Sequence, residues 1–249
     1  MGRYLVTLFL ACLYCMPSMV RAAETEEQAA GTRLFGTFAP KPDVWSEYAI
    51  FDKDTGRRTV MHMSIVGIEQ DSYWYEVEKR EDTGASIIKM LVKGDPIYPE
   101  NIQRLIIKSG PGPAQEMSGD FALMERQEAG RVFEQQSGVL ARATVNLKSV
   151  MTGEGTATVP AGTFDVSLYE IIDPSGMVYA RYKFSQAIRP FGIVSSDTDT
   201  KTTVLVGHGT GARSLITEEP IMITQPPGME RRGIIIQIPG MGTGYEPKQ

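Results

Sequence analysis

The chain is poor in the residues that usually carry chemistry. It has two cysteines and two histidines among 249 residues, and both cysteines, Cys12 and Cys15, fall within the first 22. Everything after them is without a disulfide, a thiol nucleophile or a cysteine-based metal site, so its core alone must hold it together. Clustered basic residues are lacking as well. The formal net charge is −5, and it becomes −7 once Arg3 and Arg21 are taken away with the leader described below. Such a chain is badly suited to displacing counterions from nucleic-acid phosphates or to gripping anionic lipid headgroups. Nor does it contain a Gly-x-Ser-x-Gly elbow, a Walker loop, a dinucleotide fingerprint or a His-Glu-x-x-His zinc motif. No catalytic residue, no metal site and no cofactor is read from the sequence, and the expectation is a protein that is not an enzyme. An acid pair of glycosidase type stays open, because such pairs are set by space and not by spacing.

Long apolar runs are absent beyond the N-terminus. Met1-Gly2-Arg3 gives a short positive start, Tyr4 to Val20 is uncharged and apolar, and Val20-Arg21-Ala22 ends on a small residue. Residues 1–22 are expected to be a cleavable signal peptide that exports the chain to the periplasm, the alternatives being an uncleaved anchor or a lipoprotein modified at Cys12. Residues 23–43 read as a flexible N-terminal arm, 44–220 as one antiparallel β domain, and 221–249 as a Pro/Gly-rich flexible tail. The tail nevertheless contains the β-prone run Ile234 to Ile238.

What is present is a series of short alternating segments separated by turn residues. Val44 to Phe51, the turn Asp52-Lys53-Asp54-Thr55-Gly56, and Arg58 to Ile68 form the clearest hairpin. Further strands are expected at Ser72 to Arg80, Ser86 to Val92, Gln103 to Ile107, Arg142 to Val150, Gly155 to Val159, Thr163 to Asp173, Met177 to Phe184, Gly192 to Thr198 and Lys201 to Val206. Alternation puts Met61, Met63 and Ile65 on one face, with Tyr73, Tyr75, Val77, Ile88, Met90 and Val92 on one side of the next two strands. On the opposite side Trp74, Ile87 and Leu91 stand among charges, which implies that this second face is partly covered. Helix signals are confined to Phe121 to Glu134 and a turn at Arg213 to Glu219. The fold class is therefore mainly β: a curved antiparallel sheet or incompletely closed half-barrel with one or two short helices, or alternatively a closed β-barrel or β-sandwich.

Two local strings invite a chemical reading. Gly207-His208-Gly209-Thr210-Gly211 offers backbone N–H groups and one imidazole, which would suit a hydrolase using His208, but it also reads as a glycine-rich turn closing the last strand. Met61-His62-Met63 has soft-metal donors, yet alternation sends His62 to the face opposite both methionines. The more distinctive feature is flexible apolar material. Ten of the 13 methionines lie beyond residue 22, several on strands beside tyrosines. Methionine adapts to irregular apolar surfaces, in filled cores and in greasy pockets alike. Met61, Met63, Tyr73, Tyr75 and Met90 are the candidate lining of a hydrophobic cavity.

Three segments together carry a resemblance. Gly155-Thr156-Ala157-Thr158-Val159-Pro160-Ala161-Gly162-Thr163-Phe164-Asp165, with the turn Val-Pro-Ala-Gly-Thr-Phe, is followed by Arg189-Pro190-Phe191-Gly192-Ile193-Val194, and Ile88 to Pro96 precedes both. In this layout the chain resembles the periplasmic lipoprotein-carrier superfamily (LolA- and LolB-like) and its uncharacterised secreted bacterial relatives. The resemblance implies a curved sheet whose concave face receives acyl chains. The expected function is an exported envelope protein binding a lipid, lipoprotein or other hydrophobic ligand there. The alternatives are a structural or protein-interaction module of the envelope without a small-molecule ligand, and the His208 hydrolase. The expected partners are a hydrophobic ligand or lipidated protein and an envelope protein, with no nucleic acid and no transmembrane span in the mature chain.

Overall fold

Burial follows the alternation of the sequence. In strand β1 (Val44–Asp52) Val44, Ser46, Tyr48 and Ile50 are buried on one side. In β2 (Arg58–Glu69) Met61, Met63 and Ile65 are buried, in β3 (Ser72–Glu81) Tyr75 and Val77, and in β4 (Gly84–Val92) Met90 and Val92. The register sets these side chains opposite one another: Tyr48 against Met61, Met63 against Val77, Ile65 against Tyr75, and Tyr75 against Met90. Cross-strand neighbours on one face are the unit from which a sheet core is built.

The computed structural model describes residues 38–117 and 147–223. A single 3-10 turn, Pro99–Asn101, leads into β5 (Ile102–Ser109) and β6 (Gln115–Met117). Then follow β7 (Lys148–Val159), β8 (Gly162–Ile172), β9 (Val178–Phe184), β10 (Ile193–Thr198), β11 (Lys201–Thr210) and β12 (Ile221–Ile223). All twelve strands join one sheet in the order β12-β6-β5-β4-β3-β2-β1-β11-β10-β9-β8-β7. Two antiparallel meanders, β1 to β6 and β7 to β11, are thus joined through the β1–β11 pair. The parallel pairing of β12 with β6 is the one exception to antiparallel neighbours. Among the described residues the sheet has two edges, β12 and β7, so it is open. The half-barrel reading stands, and the closed barrel and the two-sheet sandwich do not.

The sheet curls most at the β7 end. Phe164 of β8 and His208 of β11 have ring centroids 5.4 Å apart, although β9 and β10 lie between their strands. Three inter-strand steps would separate them by about 14 Å in a flat sheet. After a register shift between Met151 and Gly153, the β7–β8 hairpin contributes Ala157, Val166 and Phe164 to the same core that holds Tyr48 and Met63. The hairpin turns at Pro160-Ala161, and Gly162 carries the positive φ of 135° that this tight return needs.

Several sequence expectations are corrected here. Residues 213–219 form no helical turn. They run as an extended strap across the outer face, where Ile216 is buried against Ile106 and Ala114, with Trp74 and Ile87 packed alongside. This strap is the partial cover that Trp74 and Ile87 implied. Gly207 to Thr210 is strand rather than turn, because β11 pairs with β1 through Thr210. The two segments expected at Arg142 to Val150 and Gly155 to Val159 are, from Lys148 onward, one strand interrupted only by the register shift. Short pieces outside the expected 44–220 span also belong to the sheet unit: Phe38 is buried in the core, Ala39 N–H donates to the Pro190 carbonyl, and Ile221–Ile223 is β12. The leader, the segment Phe121 to Glu134 and the run Ile234 to Ile238 lie outside the described residues.

Candidate ligand face and groove

The five expected lining residues come together. Met61, Met63, Tyr75 and Met90 all belong to the main core cluster, and the half-buried Tyr73 packs against it. Their burial is close to complete: Met63 is 1% exposed, Tyr75 2%, Met61 3% and Met90 7%. Tyr75 shows what covers this face. Its ring meets Phe38 at 6.0 Å and Phe191 at 5.7 Å, both edge-on, and Phe38 and Phe191 lie 5.2 Å apart. Edge-to-face pairs of this kind are favoured by the ring quadrupoles and add about 0.5–1.5 kcal/mol beyond the area they bury.

Two buried tyrosines on this face differ in their hydroxyls. Tyr48 donates to the Ile193 carbonyl at 3.1 Å, whereas the Tyr75 hydroxyl has no hydrogen-bond partner among the described residues. Burial pushes both phenols well above their ordinary range, and for Tyr75 the nearby Tyr48 adds to the shift. Both remain neutral at any physiological pH. Ser196 also buries a hydroxyl oxygen without a partner among the described residues, so the inner face carries isolated polar points in an apolar field.

Open space lies elsewhere, at the β7 end. A groove of about 1050 Å³ runs between the outer part of the β7–β8 hairpin and the turn that follows β9. Phe164, Tyr169 and Phe184 supply its aromatic surface, and Glu154, Thr156 and Asp165 its polar one. Phe164 and Tyr169 also pack against the main core, so the groove and the apolar inner face share these two side chains. Tyr169 and Phe184 had been noticeable in the sequence as strand aromatics. The groove itself was not legible, because it depends on how sharply the hairpin curls.

The two histidines have structural surroundings. His62 lies on the outer face, stacked on Trp45 with centroids 5.3 Å apart, and its Nδ1 is 3.5 Å from Glu47 Oε2. His208 is exposed and meets Phe164; among the described residues no carboxylate pairs with it. The glycines beside it make room for Trp45: a Cβ on Gly207 or Gly209 would approach the indole to 3.1 Å. The Trp45 indole N–H donates to the Thr210 carbonyl, which ties the ring down over this stretch. Among the described residues no group of three or more His, Cys, Asp or Glu side chains is placed to hold a metal ion, and no helix is long and apolar enough to cross a membrane.

No protein-family model and no curated protein matches the chain. Similar solved structures include a hypothetical protein from Chlamydia trachomatis, at TM-score 0.43 and 11% identity, covering 72% of this chain and 93% of that one. An exported-protein candidate with a YmcC-like fold from Bacteroides fragilis has TM-score 0.32 and 10% identity, covering 71% of this chain and 100% of that one. MucB in its complex with MucA, from Pseudomonas aeruginosa, has TM-score 0.33 and 9% identity, covering 69% of this chain and 52% of that one.

Proposed function

We propose that this is an exported envelope protein that holds a lipid, lipidated protein or other hydrophobic ligand against the inner face of its open sheet, and that it is not an enzyme. One observation carries the reading: an unclosed sheet whose apolar inner face shares Phe164, Val166 and Tyr169 with an open groove of mixed polar and aromatic lining. In this reading the groove is the mouth and the face around Met61, Met63, Tyr73, Tyr75 and Met90 is the interior. Phe38 and Phe191, which come from segments outside the regular strands, are the side chains that move aside. Methionines lining such a face can repack around a chain at little cost. Each buried methylene contributes about 0.8 kcal/mol, so eight or ten suffice for micromolar binding after the association entropy is subtracted.

The test is native mass spectrometry, with lipid extraction, of protein purified from the envelope, alongside uptake of a fluorescent fatty acid. Bound lipid and saturable uptake, weakened by Met63→Trp or Tyr75→Trp in a folded protein, are expected. A clean apo mass with no probe uptake overturns the proposal. Export is tested separately: N-terminal sequencing should find a start near residue 23, and material still beginning at Met1 contradicts it.

A further inference from the structure

The edge of the groove has a second use that needs no lipid. Strand β7 is a sheet edge among the described residues and is twelve residues long, whereas the opposite edge, β12, has three residues and follows directly on Pro220. Natural sheets blunt their edges by shortness, proline, lysine or bulges. β12 uses the first two devices. β7 uses a bulge at Met151 to Gly153 and a lysine only at its first residue. Beyond the bulge, residues 153–156 read Gly-Glu-Gly-Thr, with Glu154, Gly155 and Thr156 exposed and a Cβ at Gly155 meeting nothing within 4 Å.

That same stretch lines the groove, and the groove has a charge. Thr156 stands directly opposite Asp165 and Glu154 opposite Ser167, which puts both carboxylates on one face of the hairpin. Both groups line the groove, no lysine or arginine does, and among the described residues neither carboxylate has an ion-pair partner. An unblocked strand edge offers backbone pairing, and a pocket beside it reads alternate side chains of whatever pairs there.

We propose that β7 accepts an extended segment of a partner protein as an added strand, and that Glu154 and Asp165 select a lysine or arginine side chain on it while Phe184 and Tyr169 receive an apolar side chain two residues along, on the same face. The inference shares the groove with the proposed lipid entrance, but it rests on the strand edge and its carboxylates and not on the interior of the sheet.

The probe is a fluorescein-labelled ten-residue peptide with lysine and valine taking turns at its odd positions and threonine at its even ones, so that both fall on the groove face, titrated into the full mature chain and followed by polarisation. Three controls accompany it: the same peptide with glutamate for lysine, the lysine peptide N-methylated at every second residue, and the Glu154→Gln/Asp165→Asn double variant. Saturable binding of the lysine peptide is expected, with no binding of the glutamate or N-methylated peptides. The double variant, changed only at exposed positions, should bind about five- to tenfold more weakly and show a shallower salt dependence. Met63→Trp, changed in the interior of the sheet and away from the β7 edge, should lose fatty-acid uptake and keep the lysine peptide, so failure here and failure of lipid binding are separable. No binding, equal binding of lysine and glutamate peptides, or an unaffected double variant overturns the proposal. Undiminished binding of the N-methylated peptide overturns it too, because pairing along the edge would then be unnecessary.

Discussion

The ring of Phe184 occupies the place that a side chain at position 192 would need: a Cβ built on Gly192 falls 2.2 Å from Phe184 Cε2, and Gly192 has φ of 78°. The two residues face each other across the loop joining β9 to β10, where Ser185 N–H donates to the Gly192 carbonyl at 2.7 Å. Gly192→Ala therefore meets two penalties, a left-handed backbone and a displaced aromatic ring, together about 2–4 kcal/mol. Gly56→Ala has φ of 70° but open space around the added methyl, so only the backbone term of about 1 kcal/mol applies. Urea unfolding of the two variants should rank them in that order, and equal midpoints would refute the steric reading.

The paired tyrosines of the inner face make a second comparison. Tyr48→Phe removes a buried hydrogen bond and leaves the Ile193 carbonyl short of a donor, at a cost of about 1–2 kcal/mol. Tyr75→Phe removes a hydroxyl that has no partner among the described residues, so stability should be unchanged or should rise by about 1 kcal/mol. Thermal unfolding at neutral pH checks both, where each phenol is un-ionised. A loss at Tyr75 equal to that at Tyr48 would show that its hydroxyl is satisfied.

Acid should loosen the β8–β9 turn. Asp173 Oδ1 accepts from the Ser175 hydroxyl at 2.6 Å, the Ser175 N–H at 2.8 Å and the Met177 N–H at 2.9 Å. These bonds, the Ser175 hydroxyl foremost, hold the carboxyl below its ordinary range. A carboxyl lowered in the folded state stabilises the fold above its unfolded value, and that contribution is lost as pH falls through the folded value. Asp173→Asn should therefore lower Tm at neutral pH, and the gap from wild type should close as the pH drops below the carboxylate range. A gap constant with pH would mean that charge plays no part in the turn.

The strands were legible because their period is legible. Met61, Met63 and Ile65 are apolar at every second position, and a one-residue slip would expose all of them, so face and register follow directly. The hairpin at Pro160 to Gly162 was legible through its turn residues. β6 and β12 were not, since three residues carry no period, and β12 depends on pairing with chain far away in sequence. Gly207 to Gly211 misled because glycines there signal turn chemistry, while in the structure they seat the Trp45 indole, whose position is fixed only by the β1–β11 pairing. The shared burial of Met61, Met63, Tyr75 and Met90 was legible for a related reason: alternation names the buried face. Phe38 and Phe191, which pack on the Tyr75 ring, lie outside the regular strands, where alternation does not reach.

The outer strap rests on one buried carboxylate. Glu76 is 1% exposed, and it accepts from the Ser214 hydroxyl at 2.7 Å and from the Leu215 N–H at 2.9 Å. Lys89, directly opposite Glu76 in the β3–β4 register, donates to the same Ser214 oxygen at 2.8 Å and lies over the Trp74 ring. Lys108 pairs with Glu218 further along, and the Ile221 N–H donates to the Ala114 carbonyl where the strap becomes β12. Glu76→Ala would leave the Leu215 N–H without its acceptor and the Ser214 hydroxyl with only the Ile216 carbonyl, costing about 2–3 kcal/mol. Because the strap touches only the outer face, that cost should appear as local opening rather than loss of the sheet. Hydrogen exchange at the Leu215 amide and through Ile221 to Ile223 should quicken roughly a hundredfold, while Met63 and Leu205 keep their protection. Glu76→Gln, which retains an acceptor for the Leu215 N–H, should show a smaller effect at the same amides. An equal rise in exchange throughout β1 to β5 would instead place Glu76 among the groups that hold the whole sheet together.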